Sequence, residues 1–530
     1  MIFLKIMRNE WRSLTSDSVV WLLLISLAGA VGYAIFNGRR IEQRQQEANL
    51  EFAEVEMAAV ERYHHLNEET WRKINAGEIT QIPEWSNREF LTPLFSYWDF
   101  QLQKSAIQPC SPLAFLALGQ SDIYPSAFKP YDPGRFYRET TPSAPQAGNP
   151  LSLMIGAFDL SFVVVYLFPL FVIGLSFNLV SSEKESGVLG LLLSHPVSLQ
   201  TVLWAKTLAR AALVFVPSLI LIIGGTLACG LKWGEGTAAT KLFFWLVTVL
   251  AYQVFWFGLA ILVNSLGKGS SSNAVILAVC WLVLALLIPG ACAFAARAIY
   301  PVTSPTVLRE AKRDAIMRVG VDLWSQGVKE LDDENSRTSL LVATFLKENP
   351  ELRIIDPPLP GQKFSFVFID DIRNSSPIWR NRTHAQRFHL VYEARAAEIE
   401  KIIKPAQARF DYQYARQRAL FNQLRVFSPA LLTQLALEHL SGASIEQHDR
   451  FMAQVNLNHR EWRHYFLKKT LSGDLLRPDD YSKFPYFQYQ DETLDSALAW
   501  IRPPLIEMTI IAVIVAVAGL IRFKNYPVIA

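Results

Sequence analysis

Apolar residues gather into six long runs along the chain, and the polar stretches between them mostly follow helical rather than alternating spacing. A bilayer core of about 30 Å takes about 20 helical residues. Residues 18–36, 158–180, 207–230, 242–264, 274–296 and 505–522 reach or approach that length. The pattern predicts an all-α polytopic membrane protein with six transmembrane helices.

Residues 1–17 precede the first run. Leu4, Met7, Trp11 and Leu14 recur there at helical spacing opposite Lys5, Arg8 and Arg12. This suits a helix lying in the headgroup plane, although a merely basic flank would carry the same charges. "SLAGA" within the run is compatible with a cleaved signal peptide, but the apolar core extends to Phe36 and favours an uncleaved anchor. Basic residues flank the first span on both sides, so orientation rests on discounting the long loops, which translocate largely regardless of charge. Both termini are then expected in the cytoplasm.

An even number of spans places residues 37–157 and 299–503 on one outer side, where they form a large, mostly helical extracytoplasmic domain. Arg39 to about Ala76 is rich in helix formers, is closed by Gly77, and can prolong the first span outward. Thr383–Phe427 reads as a helix kinked or broken at Pro405. Ser428 and Pro429 start another that ends at Gly442. Ser444 and Gln447 have capping-box spacing before a stripe of Phe451, Val455, Trp462 and Phe466. Pro125–Pro150 reads as a linker, and "FSFVFIDD" at Phe364–Asp371 as a strand.

Composition agrees with membrane residence: 51% of residues are hydrophobic and mean hydropathy is +0.18. A net charge of +3 gives no basic stripe for nucleic acid. The four cysteines show neither CxxC nor a pairing pattern. His384 with His389 and His459 with His464 stand five apart, off a common helical face; Glu61 with His65 shares a face but finds no second pair. Asp370 and Asp371 suit the end of a strand better than a cation. No metal site or cofactor is expected. "GKGSSS" at Gly267–Ser272 lacks the first glycine of a phosphate-binding loop and reads as a turn, so no nucleotide site is expected either. Asp159, Arg210, Arg297 and Glu507 fall near span ends, where snorkelling costs little. Glu507, after Pro503 and Pro504, is the candidate for a substrate path.

Residues 181–206, between the second and third spans, carry more design than a connector needs. Ser182 and Glu185 have capping-box spacing, predicting a helix from about Glu183 to Ser194 with Val188, Leu189, Leu191, Leu192 and Leu193 on its apolar side. His195 and Pro196 stop it. A hairpin with no partner explains the leucines but not the cluster Glu183, Lys184, Glu185.

At these residues the chain resembles permeases of the type-2 ABC exporter class. The pattern is filled by Glu183, Lys184, Glu185, Gly187, Leu189, Leu192, Leu193, Ser194, Pro196, Val197, Ser198 and Lys206. "NEWRSLTSDS" at Asn9–Ser18, "NAVILAVCWLVLALLIPG" at Asn273–Gly290 and "VFSPALLTQLALEHLSGAS" at Val426–Ser444 resemble a subgroup with large extracytoplasmic insertions after spans one and five. The resemblance implies that the loop is a coupling helix seated on a separate ATPase subunit, with Glu183, Lys184, Glu185, Gly187, Leu189, Leu192, Leu193 and Pro196 as coupling residues. It also implies a second permease copy or a related permease, lipid contact, and periplasmic partner proteins. The location would be a bacterial inner membrane with the large domain periplasmic. A non-transporting scaffold or sensor with a partner-binding outer domain is the alternative.

Overall fold

The computed structural model of the chain describes residues 2–79, 90–91, 93, 102–119, 126–128, 158–194, 197–230, 237–319, 336–352, 384–524 and 526. Phe364–Asp371, with Asp370 and Asp371, lies outside them, as do His195, Pro196 and all of the expected linker except residues near its start. There Ala127–Phe128 (β2) pairs antiparallel with Ala106–Ile107 (β1).

The helices run in order α1 (Ile2–Ser16), α2 (Ser18–Asn75), α3 (Leu160–Phe162), α4 (Phe168–Ser176), α5 (Ser181–Glu185), α6 (Val188–Leu193), α7 (Leu199–Ala228), α8 (Ala238–Asn264), α9 (Ser270–Trp281), α10 (Ile288–Ile299), α11 (Pro305–Val319), α12 (Arg337–Glu348), α13 (His384–Leu424), α14 (Pro429–Ser441), α15 (Ile445–Leu471) and α16 (Leu494–Phe523). Among the described residues six helical stretches are long and apolar enough to cross a membrane: Ser18–Asn75, Leu160–Glu185, Leu199–Ala228, Ala238–Asn264, Ser270–Ile299 and Leu494–Phe523. The fold is an all-α polytopic membrane protein.

Several helices outrun their apolar runs. α2 continues from the first run to Asn75, capped by Ala76 and by Gly77 at φ 78°. Its polar half anchors other segments: Glu56 accepts bonds from Ser105 N and Oγ, both at 2.7 Å, and Asn67 donates to the carbonyls of Phe90 and Leu476. α7 begins at Leu199 rather than 207, because Ser198 caps it by accepting from Thr201 N at 3.2 Å. α16 begins at Leu494 behind Thr493 and passes through Pro503 and Pro504. α13 likewise runs unbroken through Pro405. Pro405 is exposed, so water can satisfy the carbonyl that its ring displaces.

Two spans widen to π-helix, at Val163–Leu167 and Leu282–Leu287, each just before a proline, Pro169 or Pro289. Phe168 and Ile288 donate five residues back, to Val163 and Val283. The proline that follows has no N–H, so a carbonyl loses its helical donor. Other helices supply replacements. Tyr252 Oη donates to Val165 O at 2.9 Å, Trp281 Nε1 to Tyr166 O at 3.1 Å, and Ser428 Oγ to Leu284 O at 3.0 Å. Backbone defects in an apolar surrounding thus become inter-helix ties.

The last of these ties belongs to an unexpected feature. α13 descends beside α10, where Gln413 accepts from Thr303, Gln417 donates to Tyr300 O, and Cys292 Sγ meets Leu424 O. The chain turns at Arg425–Phe427, and α14 returns with Leu432, Ala436, Leu437 and Leu440 in the same apolar core as the spans. The caps are as the residues predict. Ser428 Oγ accepts from Leu431 N, Gly442 closes α14 at φ 83°, Ser444 and Gln447 make the capping box, and Phe451, Val455, Trp462 and Phe466 are buried. α8 and α16 pack closely because small residues face each other: a Cβ on Gly519 would lie 2.9 Å from Leu262 N, and one on Gly258 3.2 Å from Ala516.

Candidate functional site

The loop after the second span forms two short helices rather than one. Gly187, at φ 73°, separates α5 from α6 in a left-handed conformation that favours glycine. The expected capping box is absent. α5 starts at Ser181 behind Val180 with no side-chain cap, and Ser182 Oγ bonds Asn178 O instead. The continuous helix from Glu183 to Ser194 is thus corrected: the glycine divides it, and hydrogen bonds back to the second span replace the cap.

The charged residues turn inward. Glu183 pairs with Lys206 on α7, and Lys206 also lies 3.5 Å from Glu10 on α1. Glu10 pairs with Arg210 at 2.6 Å, and Arg210 donates to Leu175 O at 2.6 Å and Asn178 Oδ1 at 2.7 Å. Glu185 accepts from Ser270 N at 2.6 Å and Ser270 Oγ at 2.9 Å, while Ser181 Oγ lies 2.8 Å from Ser270 Oγ. Lys184 donates to Gly267 O at 3.2 Å and lies 5.7 Å over the Tyr526 ring. Two anions and two cations alternate along Glu183, Lys206, Glu10 and Arg210, with the two cations and Glu10 largely buried. Such a cluster contributes little net stability but tolerates no missing partner. With the bonds of Lys184 and Glu185 it binds α1, the loop, α7, the end of the second span and the link before α9 into one unit.

Arg210 does not snorkel: only 6% of its side chain is exposed. Asp159 does not either; it caps α3 by accepting from Phe162 N, and also takes Ser161 Oγ and Leu118 N. Both charges sit near span ends, yet protein donors and acceptors, not water, satisfy them. Of the loop's apolar residues, Leu189 is buried in the span core, Leu192 and Leu193 are half-buried, and Val188 and Leu191 are exposed at 47% and 73%. Pro196 lies outside the described residues.

Glu507 stands on α16 across from the tip between α13 and α14, where Arg425 Nε is 3.8 Å away and stacks its guanidinium 5.9 Å over Trp500. Elsewhere, Ser444, His439 and Glu492 bring together the residue types of a hydrolytic triad. His439 meets Ser444 Oγ at 3.0 Å and Glu492 at 3.4 Å. Ser444 Oγ, however, serves as the cap of α15, and Glu492 also binds Arg450 at 2.7 Å and Ser496 at 2.9 Å. Burial alone would raise the Glu492 carboxyl; the bonds from His439, Arg450 and Ser496 outweigh it and hold it at about 2. The arrangement ties α14 and α15 to the start of α16. A cavity of about 50 Å³ beside it, lined by Glu42, Cys110, Ser111, Ser444 and His448, has room for a few waters.

Two of the described histidines are structural residues that burial keeps neutral. His389 is fully buried, bonded through Nδ1 to Thr470 Oγ1 at 2.9 Å, and burial with the nearby Arg463 lowers it to about 3. Burial, with Arg463 and Arg460, lowers His459 to about 4. Because the folded chain holds His389 neutral while the unfolded chain protonates it near 6.5, stability should fall as pH drops from about 6.5 toward 3. The slope is at most about 1.4 kcal/mol per pH unit for this residue. Thermal melts across that window should flatten in His389→Gln.

Glu10, Arg210, Asn178 and Ser270 were not singled out as site residues by sequence. A signal exists for two of them: Glu10 is the sole acid in a basic amphipathic stretch, and Arg210 interrupts an apolar run. Residues 4–327, which include this loop and its ties, match the family model described as ABC-2 family transporter protein. Residues 324–490 match one described as Domain of unknown function (DUF3526). Comparison with curated proteins finds no match, and comparison with solved structures finds none. Since the first match takes in more than half of the residues, including five of the six apolar spans, the chain belongs to the ABC-2 transporter family and is a membrane subunit of an ABC transporter.

Proposed function

We propose that the chain is the permease of an exporter, driven by a separate ATPase that seats on the loop of α5 and α6. The observation that carries this reading is the loop's construction. Its charges are spent on internal ties to α7 and the link before α9, with Lys206 carrying the tie on to Glu10 of α1, and Val188 and Leu191 point outward one helical turn apart. A loop built this way can transmit a push to several spans at once while offering an apolar knob to a groove. Substituting Asp at both Val188 and Leu191 should abolish co-purification with the cognate ATPase, by tenfold or more, and leave the melting temperature of the chain unchanged. Retained association would remove the loop from the docking surface.

In this reading the loop side is cytoplasmic, the large helical domain containing α13 and α15 is periplasmic, and the membrane is a bacterial inner membrane. A second permease, the same or related, completes the path. Lys268 and Glu310 are exposed on opposite sides of the spans. Cysteines placed there, with native cysteines removed, should differ in spheroplasts: an impermeant thiol reagent labels position 310 and not 268. The reverse labelling would invert the orientation. Glu507 and Arg425, facing each other beside the tip, are the polar groups that a cargo moving along α16 would meet.

A further inference from the structure

We infer that α1 carries a recognition strip for anionic phospholipid, made of Lys5, Arg8 and Arg12 and set beside an apolar edge of Leu4 and Trp11. The argument starts from how α1 is turned. At 100° per residue, Phe3, Ile6, Met7, Glu10 and Leu14 share one side, and all five are partly buried. α1 packs against α7, and the ion pairs from Glu10 to Arg210 and Lys206 lock that side inward.

With that rotation set, the rest of the helix falls into ordered sectors. Leu4 and Trp11, seven residues apart, come next and are 61% and 42% exposed. Arg8, Arg12 and Lys5 follow in turn around the helix, all exposed, and then Asn9, Ser13 and Ser16. The apolar pattern visible in the sequence is therefore divided between two destinations: Met7 and Leu14 belong to the bundle, Leu4 and Trp11 to what lies outside it.

What lies outside is dictated by the chain. Only Asp17 separates α1 from α2, whose apolar run starts at Val19, so the end of α1 is held at the level where the first span leaves the bilayer. Trp21 strengthens that corner by donating from Nε1 to Thr15 O at 2.8 Å. An apolar edge next to a basic strip at this height matches acyl chain below and phosphate above. The side chains of Lys5, Arg8 and Arg12 make no ion pair or hydrogen bond among the described residues, and the helix's one carboxylate faces away. Three cations without protein anions, next to exposed Leu and Trp, fit a negatively charged headgroup better than an acidic protein surface, which would leave the apolar edge in water.

The test uses the full chain in phosphatidylcholine vesicles, with native cysteines replaced and a fluorophore on a cysteine at Asn9. Trace phosphatidylglycerol spin-labelled near its headgroup should quench it at least about fivefold more effectively than spin-labelled phosphatidylcholine, the share that one basic residue near the surface contributes. Lys5→Gln with Arg8→Gln and Arg12→Gln should erase the preference, as should high salt. The same comparison from Ser13 guards against a local effect of the label. Equal quenching by both lipids in wild type, or a preference that survives the triple substitution, overturns the inference. So does a triple variant that loses the ATPase while no lipid preference existed, because the strip would then serve the protein partner.

Discussion

Arg210→Ala will cost about 3–5 kcal/mol of stability, the penalty for breaking a buried ion pair by deleting one side. The guanidinium is 6% exposed and serves three acceptors at once: Glu10, Leu175 O and Asn178 Oδ1. Alanine would leave Glu10, whose side chain is 11% exposed, leaning on Lys206 alone, and would strand a carbonyl at the end of the second span. Replacing both partners with neutral residues of similar volume, Glu10→Gln with Arg210→Met, should recover a good part of the loss, because no uncompensated charge remains. Thermal and denaturant melts in detergent measure both. A loss for Arg210→Ala of about 0–1 kcal/mol, the level of an exposed pair, would show that the cluster is not buried as described.

Changing Glu183 and Glu185 together to Lys will also be severe, for an internal reason. The resemblance of the loop makes these carboxylates coupling residues that would face a partner. In the structure Glu183 faces Lys206, and Glu185 holds Ser270 N and Oγ. Reversal sets a new cation against a buried Lys206 and removes the acceptor that ties the loop to the link before α9. Hydrogen exchange of residues 181–194 should therefore rise at least tenfold in the chain alone, before any ATPase is added, and ATPase association should be lost as a consequence. The Gln pair should be intermediate, since Gln at 185 can still accept from Ser270 while Lys206 keeps Glu10. Lost association with unchanged exchange would return the carboxylates to the docking surface.

Much of the architecture is legible along the chain because the bilayer reduces it to length and polarity. Six continuous apolar runs of about 20 residues are too long for barrel strands, so helices are the form that satisfies their backbone groups in an apolar solvent. Local chemistry is equally readable where one side chain answers one backbone group: Ser428 before Pro429, Gly442 at a left-handed turn, and Ser444 with Gln447 are caps in the structure as in the sequence. These interactions span three or four residues, so spacing alone specifies them. The special character of the loop at 181–194 was visible too, through its unusual density of charge.

What spacing could not supply is the identity of partners distant in sequence. Glu183 and Lys206 are 23 residues apart, Glu10 and Arg210 200 apart, and Ser428 and Leu284 144 apart. No periodicity links such pairs; they meet because helix packing brings a stray charge or a proline-freed carbonyl next to a group able to satisfy it. The same packing halved the apolar stripe of α1 between bundle and surroundings and drew α14 into the core of the spans. Residue types and short-range spacing suffice to say what each segment is, whereas the face that each segment buries depends on neighbours supplied by the rest of the chain.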